Sequence, residues 1–428
     1  MSFFKKIIIK YLLILSRIQV KKFNAKVIAI TGSVGKTSAK DFINSVLQQD
    51  ENTKVLASKK SFNGEFGLPM TIFNISFTKD KYLNILKLLI LPLYNILFIF
   101  NKYDYLVLEV GVDRQGDLDV LKQITQTDLA ILLNVQSTHS ANFKSDNPKE
   151  DIFREKAKIF DTLKPNSYGL INIDNNFLNR KNNEGYFDEK IQTVSKNQNS
   201  HYKYSVEENR SIGFKINTPL GTYNLNKFLP LEFAESIVFA IIVGQYFKID
   251  NKKIQLGLEK TKLNAGRFTI FKGLKNSTIL DSSYNSSPKA LNMVLNFAKK
   301  VKIKDKILVL GEMRELGDAE EKEHLKVIPK IKNFKKIYLV GEACKKYILP
   351  SVSDATYFDN SYQLGKHLKS NLKTNEFYVF KGSENTIFLE EAIKHILPKH
   401  EYINLPRQED YWLQKKLAFF KTKISKNG

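Results

Sequence analysis

From Lys26 onward the chain alternates short, wholly apolar runs with longer stretches in which apolar residues recur every three or four positions. A brief apolar run between turn signals suits a strand buried on both faces, and the 3.6-residue period suits a helix packed on one side. The pattern predicts strands at Val27–Ile30, Tyr105–Glu109, Leu129–Asn134 and Gly169–Ile173. It predicts helices over about Thr37–Gln48, Glu150–Leu163 and Glu232–Phe247. Residues 174–228, rich in Asn, Lys and Tyr, predict only short strands and loops. Past a boundary near Leu263 the alternation restarts, with strands at Thr278–Asp281, Ile307–Leu310, Ile337–Val340 and Tyr378–Phe380 and helices starting near Pro288, Glu320, Ser361 and Thr386. Two α/β domains in series are expected, each with a mainly parallel sheet. The expected division is a basic amphipathic segment over 1–26, a central domain over 27–262, a C-terminal Rossmann-like domain over 263–400 and a basic amphipathic tail over 401–428.

Two stretches are apolar enough to raise the question of a membrane. Residues 1–26 hold seven cations and no acid around Ile7–Ile9 and Tyr11–Leu15, but Lys10 interrupts the run, and it falls short of the roughly 20 residues a spanning helix needs. No small-residue cleavage site follows, which argues against a signal peptide. Leu83–Phe100 is longer but contains Lys87, Pro92 and two Asn, which are costly in lipid. Both are read as buried or interfacial helices. The tail Tyr411–Gly428 sets Tyr411, Trp412, Leu417, Phe419 and Phe420 among lysines and reads the same way.

Composition narrows the classes. With 428 residues, 43% hydrophobic, the chain has enough apolar surface for two or three domains. A single cysteine, Cys344, excludes an internal disulfide or a cysteine metal cluster and fits a reducing compartment. The net charge of +23 suits a phosphorylated substrate, anionic lipid or nucleic acid, or a drift in composition toward Lys.

The sharpest chemistry is Ala29-Ile-Thr-Gly-Ser-Val-Gly-Lys-Thr-Ser38, between a predicted strand and a predicted helix. Gly32 and Gly35 let backbone N–H groups approach phosphate, Lys36 can reach the terminal phosphates, and Thr37 can ligate Mg²⁺ at the helix N-terminus. The usual first glycine of such a phosphate loop is replaced by Ile30. Residues Thr31, Gly32, Ser33, Val34, Gly35, Lys36, Thr37 and Ser38 are the expected nucleotide-binding loop of an ATPase domain. Glu109 ends an apolar strand, where an unpaired carboxylate is costly, so a partner cation is expected, either a metal or a lysine.

This loop resembles that of the Mur ligase family, and further resemblances follow in order. They are Ser61-Phe-Asn-Gly-Glu-Phe-Gly-Leu-Pro69, Leu108-Glu-Val-Gly111, Asn134-Val-Gln-Ser-Thr-His139 and Glu155-Lys-Ala-Lys-Ile-Phe160. Later come Ala265-Gly-Arg-Phe268, Asp281-Ser-Ser-Tyr-Asn-Ser-Ser-Pro288, Gly311-Glu-Met-Arg-Glu-Leu-Gly317 and Lys381-Gly-Ser383. The second group is most like the family member that adds D-Ala-D-Ala to a muramoyl peptide. The resemblance implies ADP-forming amide synthesis with ATP and Mg²⁺ in peptidoglycan precursor synthesis: a carboxylate takes the γ-phosphate, and an amine displaces it.

Catalytic roles are implied for Lys36, Lys156, His139 and Glu109, and metal ligation for Thr37, Glu109, His139 and Lys156. Lys156, rather than Lys158, is the implied N-carbamylated lysine. Arg267, Asp281, Tyr284 and Asn285 are implied near the nucleotide, and Asn63, Lys381 and Ser383 near the substrates.

Three departures bear on the substrate. Only 26 residues precede the first strand, where that member carries a uridine-nucleotide domain; Leu229-Pro-Leu-Glu-Phe-Ala234 lacks a His-x-x-x-Asn pattern; and Glu384 stands for an arginine. Competing readings are a Mur-type ligase for another cell-envelope carboxylate, a basic NTPase on nucleic acid, and a membrane scaffold with a degenerate ligase fold. The dispersed charge disfavours nucleic acid, which is not expected as a partner. Expected partners are the small peptide substrates, with peripheral contact to anionic membrane through 1–26 and the tail. The protein is expected as a cytoplasmic monomer at the inner membrane face.

Overall fold

The computed structural model describes all residues except 1–2, 59–64, 79, 101, 137–142, 144–146, 209–212, 384–386 and 425–428. The chain forms two compact units, Met1–Lys262 and Leu263–Gly428.

The first unit is built on a parallel sheet whose strands are β1 (Lys26–Thr31), β2 (Val55–Ala57), β3 (Tyr105–Glu109), β4 (Thr127–Leu132), β5 (Leu163–Asn172), β6 (Ile191–Ser195) and β7 (Tyr202–Lys203). Their order is β2-β3-β1-β4-β5-β6-β7. β3 and β4 are buried throughout and β1 beyond Lys26, as parallel strands covered on both faces must be. β1 lies between β3 and β4, with Ile30 opposite Glu109 and Thr31 opposite Leu132. The chain therefore departs in opposite directions from β1, which opens a crevice at the carboxyl ends of these strands. Three antiparallel strands, β8 (Ser205–Glu208), β9 (Phe214–Thr218) and β10 (Gly221–Leu225), form a separate small sheet.

The helices of this unit are α1 (Phe3–Phe23), α2 (Lys36–Leu47), α3 (Gly67–Ile72), α4 (Lys81–Phe98), α5 (Asp119–Ile124), α6 (Pro148–Ala157), α7 (Asn176–Asn183), α8 (Phe233–Tyr246) and α9 (Asn251–Lys260). α6 starts where Asn147 accepts from the Glu150 amide and Pro148 fills the first turn. The predicted helix over Glu150–Leu163 is shorter than expected: it tightens into a 3-10 turn over Lys158–Thr162, and Leu163 already begins β5. α1 is no detached arm. Leu12, Ser16, Gln19 and Phe23 are buried on the unit's core, and Tyr11 donates to the Leu89 carbonyl of α4 at 2.5 Å.

In the second unit six strands, β11 (Thr269–Lys272), β12 (Thr278–Ser282), β13 (Lys306–Gly311), β14 (Lys336–Val340), β15 (Ala355–Phe358) and β16 (Phe377–Lys381), lie in the order β11-β12-β16-β13-β14-β15. All pairs are parallel except β11 with β12. Pattern reading missed β11 and β15, edge strands with half-exposed residues that leave no continuous apolar run. The helix expected near Thr386 begins at Leu389, and residue 386 itself lies outside the described residues.

The tail differs from a free amphipathic segment. Its helix, Asp410–Ile424, places Lys416, 3% exposed, between Glu390 at 2.9 Å and Glu391 at 2.7 Å, and sets the rings of Phe419 and Phe420 against Phe388. These groups are used inside the unit, whereas Tyr411 and Leu417 of the same helix are exposed.

Candidate active site

At the carboxyl end of β1 the chain turns sharply into α2. Gly32 has φ 155° and Gly35 φ 88°, and a Cβ on Gly32 would lie 3.0 Å from the Leu133 Cβ. A side chain at either position is therefore strained, and the loop needs both glycines. Asn134, at the end of β4, clamps the loop from both sides: its carboxamide accepts from the Val34 amide at 3.0 Å and donates to the Val34 carbonyl at 3.0 Å. The Ser33 amide donates to the Asn134 carbonyl, also at 3.0 Å. The loop's shape is thus held by side chain and backbone before any ligand arrives. Lys36 folds back over it, its ammonium donating to the Gly32 carbonyl at 2.7 Å.

Thr37, in the first turn of α2, donates its hydroxyl to Glu109 Oε1 at 2.9 Å. Both side chains are buried. The other carboxylate oxygen, Oε2, has no hydrogen-bond partner and faces the Lys40 ammonium at 3.6 Å. The cation expected beside Glu109 is therefore present as a lysine. Lys40 is buried too, and also donates to the Ser58 carbonyl at 2.5 Å. Sequence reading missed it, although it follows Lys36 by one helical turn; on a basic chain that spacing looks like an ordinary solvated face.

Lys156 and Lys158 are sharply different. Lys156, at the end of α6, is 2% exposed, and its nitrogen lies 3.3 Å from the Gly32 carbonyl. Burial first, and then the nearby Lys36 charge, push its pKa well below the ordinary lysine value, against the pull of Asp113, Asp117 and Glu155. Lys158 points the other way, to Glu155 at 2.8 Å and Asp119 at 3.1 Å. Against a lowering by partial burial, those two carboxylates hold its pKa above the ordinary value. Glu155 is itself fixed, accepting from the Leu118 amide at 3.0 Å.

The residues fit Mg²⁺. Glu109 offers a buried carboxylate oxygen without a hydrogen-bond donor, Thr37 a hydroxyl, and both are the hard oxygen ligands this ion takes. Among the described residues no three His, Cys, Asp or Glu side chains gather at metal-binding distance. An ion here would complete its shell with phosphate oxygens and water. His139 and Asn63 lie outside the described residues.

The second unit holds its own cluster at the ends of β12 and β16. Asp281 is fully buried and accepts from the Ser283 amide at 2.9 Å; burial raises its pKa to about 6 against that bond. Lys381, on the neighbouring strand, donates to the Asn285 carbonyl at 2.6 Å, and burial, then the Arg267 charge, lowers its pKa to about 7. Tyr284 is flanked by two guanidinium groups, Arg267 at 4.4 Å and Arg407 at 5.4 Å. Arg407 binds both oxygens of buried Glu390 at 2.8 Å and donates to the Tyr284 and Ser283 carbonyls. It was not singled out from sequence because no motif surrounds it. Ser383 donates to the Glu312 carbonyl at 2.6 Å. Lys381 and Ser383 thus brace the loops around them as they stand.

The chain matches models of one protein family. Residues 30–230 match the family model described as Mur ligase middle domain, and residues 266–384 match that of the Mur ligase glutamate ligase domain. The chain is similar to the UDP-N-acetylmuramoyl-tripeptide D-alanyl-D-alanine ligase of Rickettsia prowazekii, 29% identical over 84% of this chain and 75% of that protein. It resembles the Bacillus subtilis ligase of the same name at 24% identity, over 90% and 78%. In fold it is similar to the MurF ligase of Thermotoga maritima in complex with ADP, with a TM-score of 0.69 at 21% identity over 96% of this chain and 84% of that one.

Proposed function

The chain belongs to the Mur ligase family, and on that premise we propose that it is an ATP-dependent, ADP-forming ligase that joins D-Ala-D-Ala to the carboxylate of a muramoyl peptide in peptidoglycan precursor synthesis. The observation that carries the reading is the convergence of the phosphate loop, the Thr37–Glu109 pair and the buried Lys156 amine at one crevice.

In this reading the backbone amides of Gly32–Thr37 and the Lys36 ammonium hold the terminal phosphates of ATP, on a loop already fixed by Asn134. Thr37 and Glu109 would hold one Mg²⁺, and His139 and Lys156 a second, which would supply charge neutralisation at the transferring phosphoryl group. A carboxylate oxygen of the acceptor peptide bonds to the γ-phosphorus as the bond to the β-phosphate oxygen breaks, giving an acyl phosphate and ADP. The amine of D-Ala-D-Ala then bonds to the acyl carbon, the carbon–oxygen bond to phosphate breaks, and the amine proton leaves with the phosphate. Burial shifts the Lys156 amine toward the neutral form, which would add CO₂ and release a proton to leave a carbamate, an oxygen ligand in place of the amine. Arg267, Asp281, Tyr284 and Asn285 are the proposed nucleotide contacts of the C-terminal unit, and Asn63, Lys381 and Ser383 the proposed substrate contacts. The reading takes the enzyme to be a monomer with peripheral contact to anionic membrane. Among the described residues no helix is long and apolar enough to cross one.

Trapping tests the first half-reaction. With ATP, Mg²⁺ and a muramoyl tripeptide but no D-Ala-D-Ala, added hydroxylamine should yield the peptide hydroxamate together with ADP. ADP release with no hydroxamate would contradict an acyl phosphate.

A further inference from the structure

α4 turns a row of large apolar side chains outward. Leu83, Leu86, Ile90, Leu93 and Leu97, spaced three and four apart, are 42%, 50%, 52%, 44% and 59% exposed, and Phe98 and Phe100 extend the row at 65% and 77%. The opposite side of α4 is occupied: Leu88 joins the core, and Leu89, Leu91 and Ile96 pack against it. Scattered exposed apolar residues need no explanation, but a continuous stripe on one helix marks a surface made to be covered.

α1 lies beside α4 and runs the same way, Tyr11 reaching Leu89 and Lys22 reaching the Ile96 and Ile99 carbonyls. Its outward face interleaves two chemistries: Ile7, Ile14 and Ile18 are 50%, 52% and 44% exposed, and Lys6, Lys10, Arg17 and Lys21 are exposed between them. Neither helix contains an acidic residue.

We infer that the outward faces of α1 and α4 form a docking surface for an anionic lipid bilayer, with the apolar row entering the acyl boundary and the α1 cations meeting headgroup phosphates. This refines the peripheral contact proposed above by placing it on a folded helix pair, α1 of the 1–26 segment together with α4. An apolar row flanked by cations, with no acid on either helix, is the composition that interfacial helices share. Pro92, Asn84 and Asn95 within α4 suit a helix lying on the surface and not one crossing it. A second copy of the chain would bring its own row of cations to the interface, which disfavours self-pairing.

Sedimentation of the full chain with vesicles tests this. Native protein should pellet with phosphatidylglycerol vesicles at low salt, weakly with phosphatidylcholine vesicles, and at least ~10-fold less with phosphatidylglycerol at high salt, where screening shortens to about 3 Å. An Ile90→Glu/Leu93→Glu variant and a Lys10→Glu/Arg17→Glu variant should each bind at least ~10-fold more weakly. Both replace exposed side chains, so melting temperature and ligation of soluble substrates should stay native, which keeps this test separate from the ligase reading. Native protein that stays in the supernatant would overturn the inference, as would variants that pellet as the native chain does. Vesicle-independent doubling of mass, abolished by Ile90→Glu/Leu93→Glu, would assign the row to a second copy instead.

Discussion

The side-chain nitrogen of Lys156 lies 3.3 Å from the carbonyl oxygen of Gly32, a residue 124 positions earlier and the first glycine of the phosphate loop. The last turn of α6, which carries Lys156, is thereby tied to the loop proposed to hold the nucleotide. Lys158, two positions on, is turned to Glu155 and Asp119.

That contrast ranks the two lysines. Lys156→Ala should abolish ligation and be partly restored by small carboxylates, and ¹³C-labelled bicarbonate should give a carbamate signal in native protein that the variant lacks. Lys158→Ala should keep most activity and the signal. The reverse order would assign the metal-side role to Lys158.

Lys40 neutralises Glu109 at 3.6 Å with both side chains 2% exposed. Removing one partner of a buried pair typically costs about 3–5 kcal/mol, because the remaining charge is left without compensation. Lys40→Met should therefore lower the melting temperature, and Mg²⁺ should raise it more in the variant than in native protein, since Glu109 then has greater need of a cation. Equal Mg²⁺ responses would separate Lys40 from the metal site.

Asn134 makes two hydrogen bonds to Val34. At roughly 1 kcal/mol net for each, Asn134→Ala should weaken ADP binding roughly ten- to thirtyfold by loosening the loop. Calorimetric titration reads this directly, and unchanged affinity would mean that the loop is held without the clamp.

Much of this was legible in the sequence, and the gaps have physical causes. β1, β3 and β4 are central parallel strands, so their apolar runs announce themselves, and the Gly-Lys-Thr turn follows from chemistry that only glycine and a short hydroxyl allow. Lys40 and Arg407 were illegible because a buried cation looks like a surface one until its carboxylate partner is known, and those partners, Glu109 and Glu390, lie on other elements. Lys416 in the tail was illegible for the same reason: it reads as a solvated lysine but is buried between Glu390 and Glu391. α4 was recognised as apolar, but which of its faces is covered depends on α1, which the local pattern does not contain.

Lys381 gives the C-terminal unit a pH signature. Its pKa is about 7 when folded against the ordinary 10.5, so between these values the unfolded chain binds the extra proton and stability rises with pH. Below about pH 7 the lysine is charged in both states and its cost is fully present. Lys381→Met should be the more stable protein near pH 7 and should lose the rise toward pH 10. Denaturant titration followed by fluorescence of Trp412, the chain's one tryptophan, reports on this unit. Parallel pH profiles for the two proteins would contradict a buried lysine of lowered pKa.

The central claim is the reaction itself. Purified full-length protein with ATP, Mg²⁺, D-Ala-D-Ala and UDP-linked muramoyl tripeptide, read by product mass, should show the tripeptide gain the dipeptide less one water. One ADP and one phosphate should be released for each bond made. Lys36→Ala, folded as native, should lose at least ~10²-fold in rate. ATP cleavage to ADP without any mass gain on the muramoyl peptide, or undiminished ligation by Lys36→Ala, would contradict the account.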